Sequence, residues 1–373
     1  MAGIYVHIPF CRRACHYCNF HFSTSAKQMD AMIQAICREA ELRHEYINES
    51  TGTVYFGGGT PSLLPISDLR FTIGRLKNLF EIDNDAEITL EANPDDITVE
   101  KLDAWKAIEI NRLSIGVQSF FHEDLEWMNR SHSSEQALRS IQLAQQAGFD
   151  NITIDLIYGI PALTNNKWKQ NVETALSLNV PHLSCYALTI EPNTALEKMI
   201  AIGKLKNVDP DKQSCQFELL MQWMEDAGYE HYEISNFARR GYRSKHNSSY
   251  WQGKHYIGLG PSAHSFNGYS RQWNIANNAL YIKSFEQDII PCETELLTKE
   301  QQLNEYIMTR LRTIEGLSLI TVSTKWNNDA LEKILQQSKK FVQREMMFEK
   351  DDHLILTKKG KLFADGIAAD LFF

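Results

Sequence analysis

The chain has 373 residues, of which 43% are hydrophobic and 23% charged, which is typical of a globular protein with one large domain and an appendage, or with two domains. Its net charge of -9 and pI near 5.8 argue against general binding to nucleic acid, which requires a basic face. The sequence has no run of 18 apolar residues and no leading segment of signal-peptide form. We therefore predict a cytoplasmic protein.

Three cysteines in a C-x3-C-x2-C spacing, Cys11, Cys15 and Cys18, follow the first predicted strand, residues 4–8. This spacing lets one loop present three thiolates to an iron-sulfur cube, which leaves one of its four irons without a protein ligand. The open iron can chelate a small molecule through an amino and a carboxylate group. S-adenosylmethionine (SAM) is the ligand that this spacing suggests.

A structural zinc site is the alternative interpretation of the same loop. Tetrahedral zinc accepts three cysteines with His16 or His21 as the fourth ligand. Zinc sites normally pair cysteines from two separate segments, however, whereas all three lie here on one loop. We expect the remaining cysteines to be free thiols, because they are scattered among apolar residues: Cys37, Cys185, Cys215 and Cys292.

Strand-like and helix-like segments alternate as far as residue 229, which is the signature of parallel β/α units. The predicted strands are residues 4–8, 53–56, 87–92, 112–115, 151–157 and 182–188. Amphipathic helices are predicted at residues 31–46, 69–80, 99–108, 135–147 and 168–178. We therefore predict an α/β fold in which residues 1–229 form a partial parallel (β/α)6 barrel. The thiols would lie at the carboxyl end of its first strand, where such barrels hold their chemistry.

The remaining sequence has a different composition and pattern. Residues 230–297 are rich in Gly, Ser, Asn and aromatic residues, and we predict an irregular segment that serves as a linker or binding loop. Residues 298–373 predict a smaller, mostly helical C-terminal domain with helices at 299–312 and 329–343, a small β-ribbon at 347–357 and a last helix from 358. Its 12 Lys and Arg against 11 Asp and Glu give a net charge of +1, which does not favour DNA binding.

Five motifs follow one another in an order that resembles a known family. They are the run from Tyr5 through the three thiols, GGGTP at 57–61, IGVQSF at 115–120, DLIYGIP at 155–161 and GLGPSA at 258–263. Together they resemble radical SAM proteins related to oxygen-independent coproporphyrinogen III oxidase (dehydrogenase), and most of all the HemW-like heme-chaperone branch. The resemblance implies a radical-SAM barrel with a 4Fe-4S cluster on Cys11, Cys15 and Cys18. It also implies that the reduced cluster delivers one electron to the sulfonium of SAM, although the sequence does not show whether SAM is cleaved.

A SAM site is implied by the same resemblance. Glycines after a strand let backbone groups approach a ligand, and the matching segment of the family holds the methionine end of SAM, which assigns Gly58, Gly59 and Thr60. Several polar side chains lie at or just beyond predicted strand ends. Each alone could be a solvated charge or a cap, but their common register favours a site. Matching positions in the family bind SAM: Glu91, Gln118, Arg130 and Asp155, together with Tyr5, Tyr17, Ala187 and the position of His264.

Two departures argue against decarboxylation of a porphyrinogen. Phe20 stands where the coproporphyrinogen enzymes carry another cysteine, and the first strand begins almost at Met1, without their N-terminal extension. A further motif, H-N-x-x-Y-W at residues 246–251, is linked to heme binding in the heme-chaperone branch. We therefore predict His246 as the axial ligand of heme, with Tyr250 and Trp251 against the macrocycle. The alternative is a hydrogen-bonded histidine in a turn whose aromatic residues plug the barrel base.

The sequence therefore predicts a heme chaperone that binds a 4Fe-4S cluster, SAM and heme and delivers heme to a membrane-bound respiratory acceptor protein. His255 and Cys292 are additional candidate heme contacts. The alternative function is an oxygen-independent coproporphyrinogen III dehydrogenase or another radical SAM enzyme acting on a tetrapyrrole. Nucleic acid is not an expected partner.

Overall fold

The computed structural model describes residues 1–373 and contains a 12-stranded sheet whose centre is six neighbouring parallel strands. The strands are β1 (Ala2–Ile8), β2 (Thr51–Gly58), β3 (Ile82–Ala92), β4 (Arg112–Gln118), β5 (Ile152–Tyr158) and β6 (His182–Ala187). The helices that connect or follow them are α1 (Met29–Leu42), α2 (Ile66–Leu79), α3 (Val99–Ala107), α4 (His122–Trp127), α5 (Ser134–Gln146), α6 (Asn165–Ser177), α7 (Ala195–Ala201) and α8 (Pro210–Asp226). The predicted β/α alternation and its six strands are confirmed.

Strand β1 illustrates why these segments form a sheet with one concave face. Ile4, Val6 and Ile8 are fully buried in the main hydrophobic core, beneath the helices. Tyr5 and His7 alternate with them and therefore face the opposite, concave side. We call the end of the barrel formed by the carboxyl ends of β1–β6 the mouth, and the opposite end the base.

Residues 230–297 are not irregular as predicted, because they extend the sheet at both of its edges. Strands β7 (Glu230–Glu233) and β8 (Asn236–Ala238) lie beyond β6. Beyond β1 lie β9 (Tyr256–Leu259), β10 (His264–Phe266), β11 (Ser270–Asn274) and β12 (Cys292–Leu296), and helices α9 (Lys245–Trp251) and α10 (Asn278–Phe285) separate some of these strands. Strands of three to five residues are too short to show a clear alternation, and the turn residues between them dominate the sequence pattern.

The C-terminal part has its own hydrophobic core, which includes Leu303, Ile334 and Leu354. Its elements are α11 (Lys299–Leu311), β13 (Leu317–Ser318), α12 (Leu319–Lys325), α13 (Asn328–Gln343), β14 (Met347–Lys350), β15 (His353–Leu356), α14 (Lys358–Lys361) and α15 (Ala364–Ala369). The predicted helices and the β-ribbon are confirmed. An ion pair of 3.1 Å between Arg312 and Glu233 joins this part to the barrel. None of the helices combines the length and apolar character needed to cross a membrane.

Candidate functional site

The thiol loop is fixed at the mouth by main-chain hydrogen bonds. Cys11 N donates to Ser23 O at 3.0 Å, which brings the two ends of the loop together. His16 N donates to Met128 O at 3.1 Å, and His16 O accepts from Leu196 N at 2.8 Å. The loop is therefore held between the end of α4 and the start of α7.

The three thiols fit an iron-sulfur cluster. All are free and only partly buried, and the charges of Cys15 and Cys18 act on Cys11. Burial, reinforced by those two neighbours, raises the pKa of Cys11 to about 11, and burial also raises the pKa of Cys18. Cluster binding would therefore displace protons from thiols that are protonated at neutral pH.

Two side chains donate hydrogen bonds to the thiol sulfurs. Thr60 Oγ1 lies 3.5 Å from Cys11 Sγ, and Arg130 Nη1 lies 3.4 Å from Cys15 Sγ. Donors at these positions stabilise negative charge on thiolate sulfur and so on a reduced cluster. This pattern suits a redox cluster.

The histidines that the zinc alternative requires have other partners. His16 Nδ1 bonds to Trp127 O at 2.8 Å, and His21 Nε2 bonds to Asn278 Oδ1 at 2.7 Å. Each of these two rings therefore has one nitrogen bonded to another part of the protein.

Arg130 connects the thiol loop to the concave face of the sheet. Its Nη2 donates to Asn93 Oδ1 at 2.7 Å and to Gly116 O at 2.8 Å, and its Nη1 lies 3.5 Å from Tyr17 OH. A Cβ on Gly116 would lie 3.0 Å from both Arg130 Nη2 and Gln118 Nε2, so these two predicted SAM contacts are neighbours. Four predicted site residues therefore converge beside the cluster loop: Tyr17, Gln118, Arg130 and Cys15.

A pair of half-buried carboxyl groups lies on the same concave face. Glu91 accepts hydrogen bonds from Tyr55 OH at 2.8 Å and from Gly58 N at 3.2 Å. Burial, together with the charge of Asp155, raises the pKa of Glu91 to about 8, and burial raises the pKa of Asp155 to about 6. These groups can share protons and hydrogen bonds with a polar ligand near neutral pH.

The glycine turn after β2 packs so tightly that side chains would not fit. A Cβ on Gly59 would lie 2.6 Å from Phe10 O, and Gly58 has a φ of 105°. Thr60 N donates to Phe10 O at 2.7 Å, so the turn crosses the start of the thiol loop. The predicted contacts Gly58, Gly59 and Thr60 therefore lie against the thiol loop.

The other predicted SAM contacts lie on the same side of the sheet. Tyr5 OH is 3.2 Å from His7 Nδ1 on the concave face, and Ala187 ends β6 opposite Tyr158 at the mouth. His264 begins β10, on the edge beyond β1, and its side chain is exposed. The structure thus brings the predicted SAM set to one end of the molecule, spread from β1 to β6 and onto β10.

The H-N-x-x-Y-W segment lies at the base, on the far side of Tyr5 and Tyr55 from the thiol loop, and the ring of His246 lies 6.4 Å from that of Tyr5. It forms α9, and the ring of His246 faces Gly3 and Thr53 near the starts of β1 and β2. His246 Nδ1 bonds to Thr53 Oγ1 at 2.8 Å, and His246 Nε2 bonds to Tyr250 OH at 2.7 Å. The ring stacks 4.9 Å from that of Tyr55, and burial lowers the pKa of His246 to about 3.

Both nitrogens of His246 are therefore occupied, and ligation of a heme iron would require one of these two hydrogen bonds to break. Trp251 lies under Arg312 of the C-terminal part, 5.1 Å from ring to guanidinium. His255 Nδ1 pairs with Glu49 at 2.9 Å, and Cys292 begins the edge strand β12. The candidate heme contacts predicted from sequence thus do not converge on one open surface.

Sequence reasoning missed a buried network behind the mouth. The Arg43 guanidinium bonds to Glu39 at 2.6 Å, Ser265 Oγ at 3.0 Å and Gln272 Oε1 at 2.8 Å. Glu39 also accepts from Gly260 N at 2.8 Å. The network attaches the strands β9–β11 to α1. Its only signal in the sequence is a Glu and an Arg four residues apart on a helix, a spacing that is common on helix surfaces.

Comparison with known proteins agrees with this geometry. The family model of the radical SAM superfamily matches residues 5–175, and that of the HemN C-terminal domain matches residues 297–363. The solved structure of the Escherichia coli coproporphyrinogen III oxidase HemN superposes with a TM-score of 0.85 at 23% identity, over 100% of this chain and 90% of that one. At 23% sequence identity, this structural similarity shows the fold alone.

Sequence relatives give the family. The heme chaperone HemW of Bacillus subtilis is 33% identical over 98% of both chains, and that of Mycobacterium tuberculosis is 32% identical over 99% of this chain and 94% of the relative. A mouse mitochondrial protein named for its radical S-adenosyl methionine domain is 36% identical over 70% of this chain and 60% of its own length. The chain therefore belongs to the radical SAM superfamily and, within it, to the family of the bacterial heme chaperone HemW.

Proposed function

We propose that this protein is a heme chaperone, which carries heme and delivers it to an acceptor protein. The observation that carries the proposal is the 33% identity, over 98% of both chains, to a protein named heme chaperone HemW. Membership in the radical SAM superfamily implies a 4Fe-4S cluster and SAM. In our proposal the acceptor is a membrane-bound respiratory protein and the transfer takes place from the cytoplasm.

In this proposal Cys11, Cys15 and Cys18 ligate three irons of the cluster, and SAM takes the fourth. When bound, the reduced cluster can supply one electron to the sulfonium of SAM. Thr60 and Arg130 donate hydrogen bonds to the thiolates and so favour the reduced state. The neighbouring residues bind SAM in this proposal: Tyr5, Tyr17, Gly58, Gly59, Thr60, Glu91, Gln118, Arg130, Asp155, Ala187 and His264.

A decarboxylating enzyme is less well supported by the loop itself. Phe20 stands where the resembling enzymes carry another cysteine, and its side chain is 66% exposed beside the thiols. The structural likeness to the coproporphyrinogen oxidase extends over the whole chain but shows the fold alone. Anaerobic incubation with coproporphyrinogen, SAM and a reductant should therefore give no decarboxylated product. Turnover would favour the enzyme over the chaperone.

The proposal is tested by a matched set of serine variants in reconstituted protein. Cys11→Ser, Cys15→Ser and Cys18→Ser should each lose most of the iron and sulfide and the charge-transfer absorption of the cluster. Cys215→Ser in α8 is the control and should keep them. Heme-loaded protein should also pass heme to membranes from heme-depleted cells, measured as heme in the washed membranes, and the cluster variants should transfer it more slowly. Failure of the unaltered protein to bind or pass on heme would refute the chaperone function.

A further inference from the structure

Asn93 lies between the two side chains that donate hydrogen bonds to the cluster thiols. It follows the end of β3 at the mouth and is half-buried. Asn93 Oδ1 accepts a hydrogen bond from Arg130 Nη2 at 2.7 Å, and Asn93 Nδ2 donates to Thr60 Oγ1 at 3.4 Å. One amide group is therefore bonded to both of the donors that face Cys11 and Cys15.

The orientation of this amide follows from the chemistry of its partners. A guanidinium has only hydrogen-bond donors, so the end of the amide that faces Arg130 must be the oxygen. The NH2 end then faces Thr60, whose oxygen accepts a hydrogen from it. The hydroxyl hydrogen of Thr60 is therefore free to point at Cys11 Sγ, which lies 3.5 Å away. An amide, unlike a carboxylate or an alkyl group, supplies both the acceptor and the donor that this arrangement needs.

The same amide leaves one nitrogen of the guanidinium for the thiol loop. Arg130 Nη2 donates to Asn93 Oδ1 and to Gly116 O, the latter at 2.8 Å, and these two bonds use both of its hydrogens. Because the guanidinium is planar and rigid, fixing Nη2 also fixes Nη1. Nη1 lies 3.4 Å from Cys15 Sγ. Asn93 thus helps to determine the direction of the hydrogen bond to this thiol.

The backbone around Asn93 is rigid and is bonded to the thiol loop. Pro94 restricts Asn93 to an extended conformation, and its φ and ψ are -82° and 145°. Asn93 N donates to Ser62 Oγ at 3.3 Å, and Ser62 Oγ donates to the buried Asp96 at 2.8 Å. Asp96 in turn pairs at 2.6 Å with Arg12 of the thiol loop. The amide is therefore held in a fixed position relative to the thiols, as orientation of other groups requires.

We propose that Asn93 is a positioning residue for the cluster, which raises its reduction potential by orienting the hydrogen bonds of Thr60 and Arg130 toward the thiolates. Hydrogen bonds to cluster sulfurs tune the reduction potential, and donors favour the more negative, reduced state. Groups that orient such donors contribute without touching the cluster. The inference rests on the cluster of the proposed function and needs neither heme nor an acceptor protein.

The test is a redox titration of the reconstituted cluster, followed by its charge-transfer absorption. SAM is left out, because Thr60 and Arg130 are also predicted SAM contacts. At a fixed ambient potential, Asn93→Ala should lower the ratio of reduced to oxidised cluster about tenfold, which is a shift of about 59 mV for one electron. Asn93→Leu keeps the volume of the side chain but neither hydrogen bond, and it should give the same shift. A leucine variant with the potential of the unaltered protein would overturn the inference.

A double-variant cycle with Thr60→Val tests whether Asn93 acts through its neighbour. In the Thr60→Val background, Asn93→Ala should change the ratio of reduced to oxidised cluster less than it does in the unaltered protein, since only the contact with Arg130 remains to be lost. A merely structural role of Asn93 would not produce this coupling. Equal changes in the two backgrounds would overturn the inference, because Asn93 would then act independently of Thr60.

Asn111 provides a matched control at the base. Its amide also bonds at both ends, to Ile88 N at 2.9 Å and to Ala86 O at 2.8 Å. Asn111→Ala should lower the urea concentration at half-unfolding and leave the reduction potential unchanged. An equal fall in potential would mean that general loss of stability causes the effect, and it would overturn the inference.

The titration also separates this inference from the proposed function. If the protein bound no heme but the Asn93 variants shifted the potential, the chaperone function would be refuted and the inference supported. If heme were bound and transferred while the potentials stayed equal, the inference would be overturned and the chaperone function would stand. Failure of the unaltered protein to form a cluster would refute the inference together with the cluster of the proposed function.

Discussion

The mouth and the base of the barrel both carry histidines among aromatic rings, yet they differ in how those histidines are satisfied. At the base, His246 is buried, hydrogen-bonded at both nitrogens and stacked on Tyr55. At the mouth edge, His264 is exposed and has Trp273 beside it. The comparison teaches that two histidines beside aromatic rings can differ in whether a ring nitrogen keeps a free lone pair, which is the property that a ligand needs.

The carboxylates of the two ends show a related difference. Glu91 near the mouth has no cation among its hydrogen-bond partners, and burial raises its pKa. At the base, Glu87 accepts hydrogen bonds from the main-chain N–H groups of Lys245 and His246, which start α9. The base therefore uses its polar groups to close the barrel, whereas the mouth leaves them available.

The largest stability effect is expected in the network that supports the mouth edge. Arg43→Met should reduce the free energy of unfolding by about 3–5 kcal/mol, because it leaves the fully buried Glu39 without its cation. Urea denaturation measures this change. The double variant Glu39→Gln with Arg43→Met should recover part of the loss. A loss below about 1 kcal/mol would mean that the strands β9–β11 are held by packing alone.

A smaller effect is expected at the base. His246→Ala should cost about 2–4 kcal/mol, since it opens a cavity beside Tyr55 and leaves Thr53 and Tyr250 without their partner. Its hemin spectrum should stay that of the unaltered protein. His255→Ala, an exposed residue of the next segment, serves as the control and should change stability by less than about 0.5 kcal/mol. If His246→Ala kept the free energy of unfolding of the unaltered protein but lost the Soret band of bound hemin, the contrast drawn between the two ends would be wrong.

How much of the structure can be predicted from the sequence depends on how local each feature is. The cysteine spacing and the glycine turn involve neighbouring residues, and they predicted the thiol loop and the turn packed against it. Whether a histidine has a partner depends on residues far apart in the chain, such as Thr53 for His246, and no spacing reveals this. The short edge strands also depend on tertiary pairing, since β11 is formed by partners on both sides rather than by its own pattern.

The last predictions concern the pH dependences of the two ends in the protein without cofactors. The folded-state pKa of His246 is lowered from 6.5 to about 3, so its share of stability is present above the unfolded value and is lost as the pH falls toward 3. The folded-state pKa of Glu91 is raised from 4.5 to about 8, so its share is present below the unfolded value and is lost as the pH rises toward 8.

Two variants separate these contributions in denaturation curves measured from about pH 4 to pH 9. His246→Gln should reduce the fall of the free energy of unfolding at acid pH. Part of that fall should remain, because other buried histidines such as His182 also have a lowered pKa. Glu91→Gln should flatten the alkaline limb and leave the acid limb unchanged. If each variant altered the opposite limb, the assignment of neutral histidine to the base and protonated carboxyl to the mouth would be wrong. The two ends would then differ in the solvent exposure of these side chains and not in their protonation states.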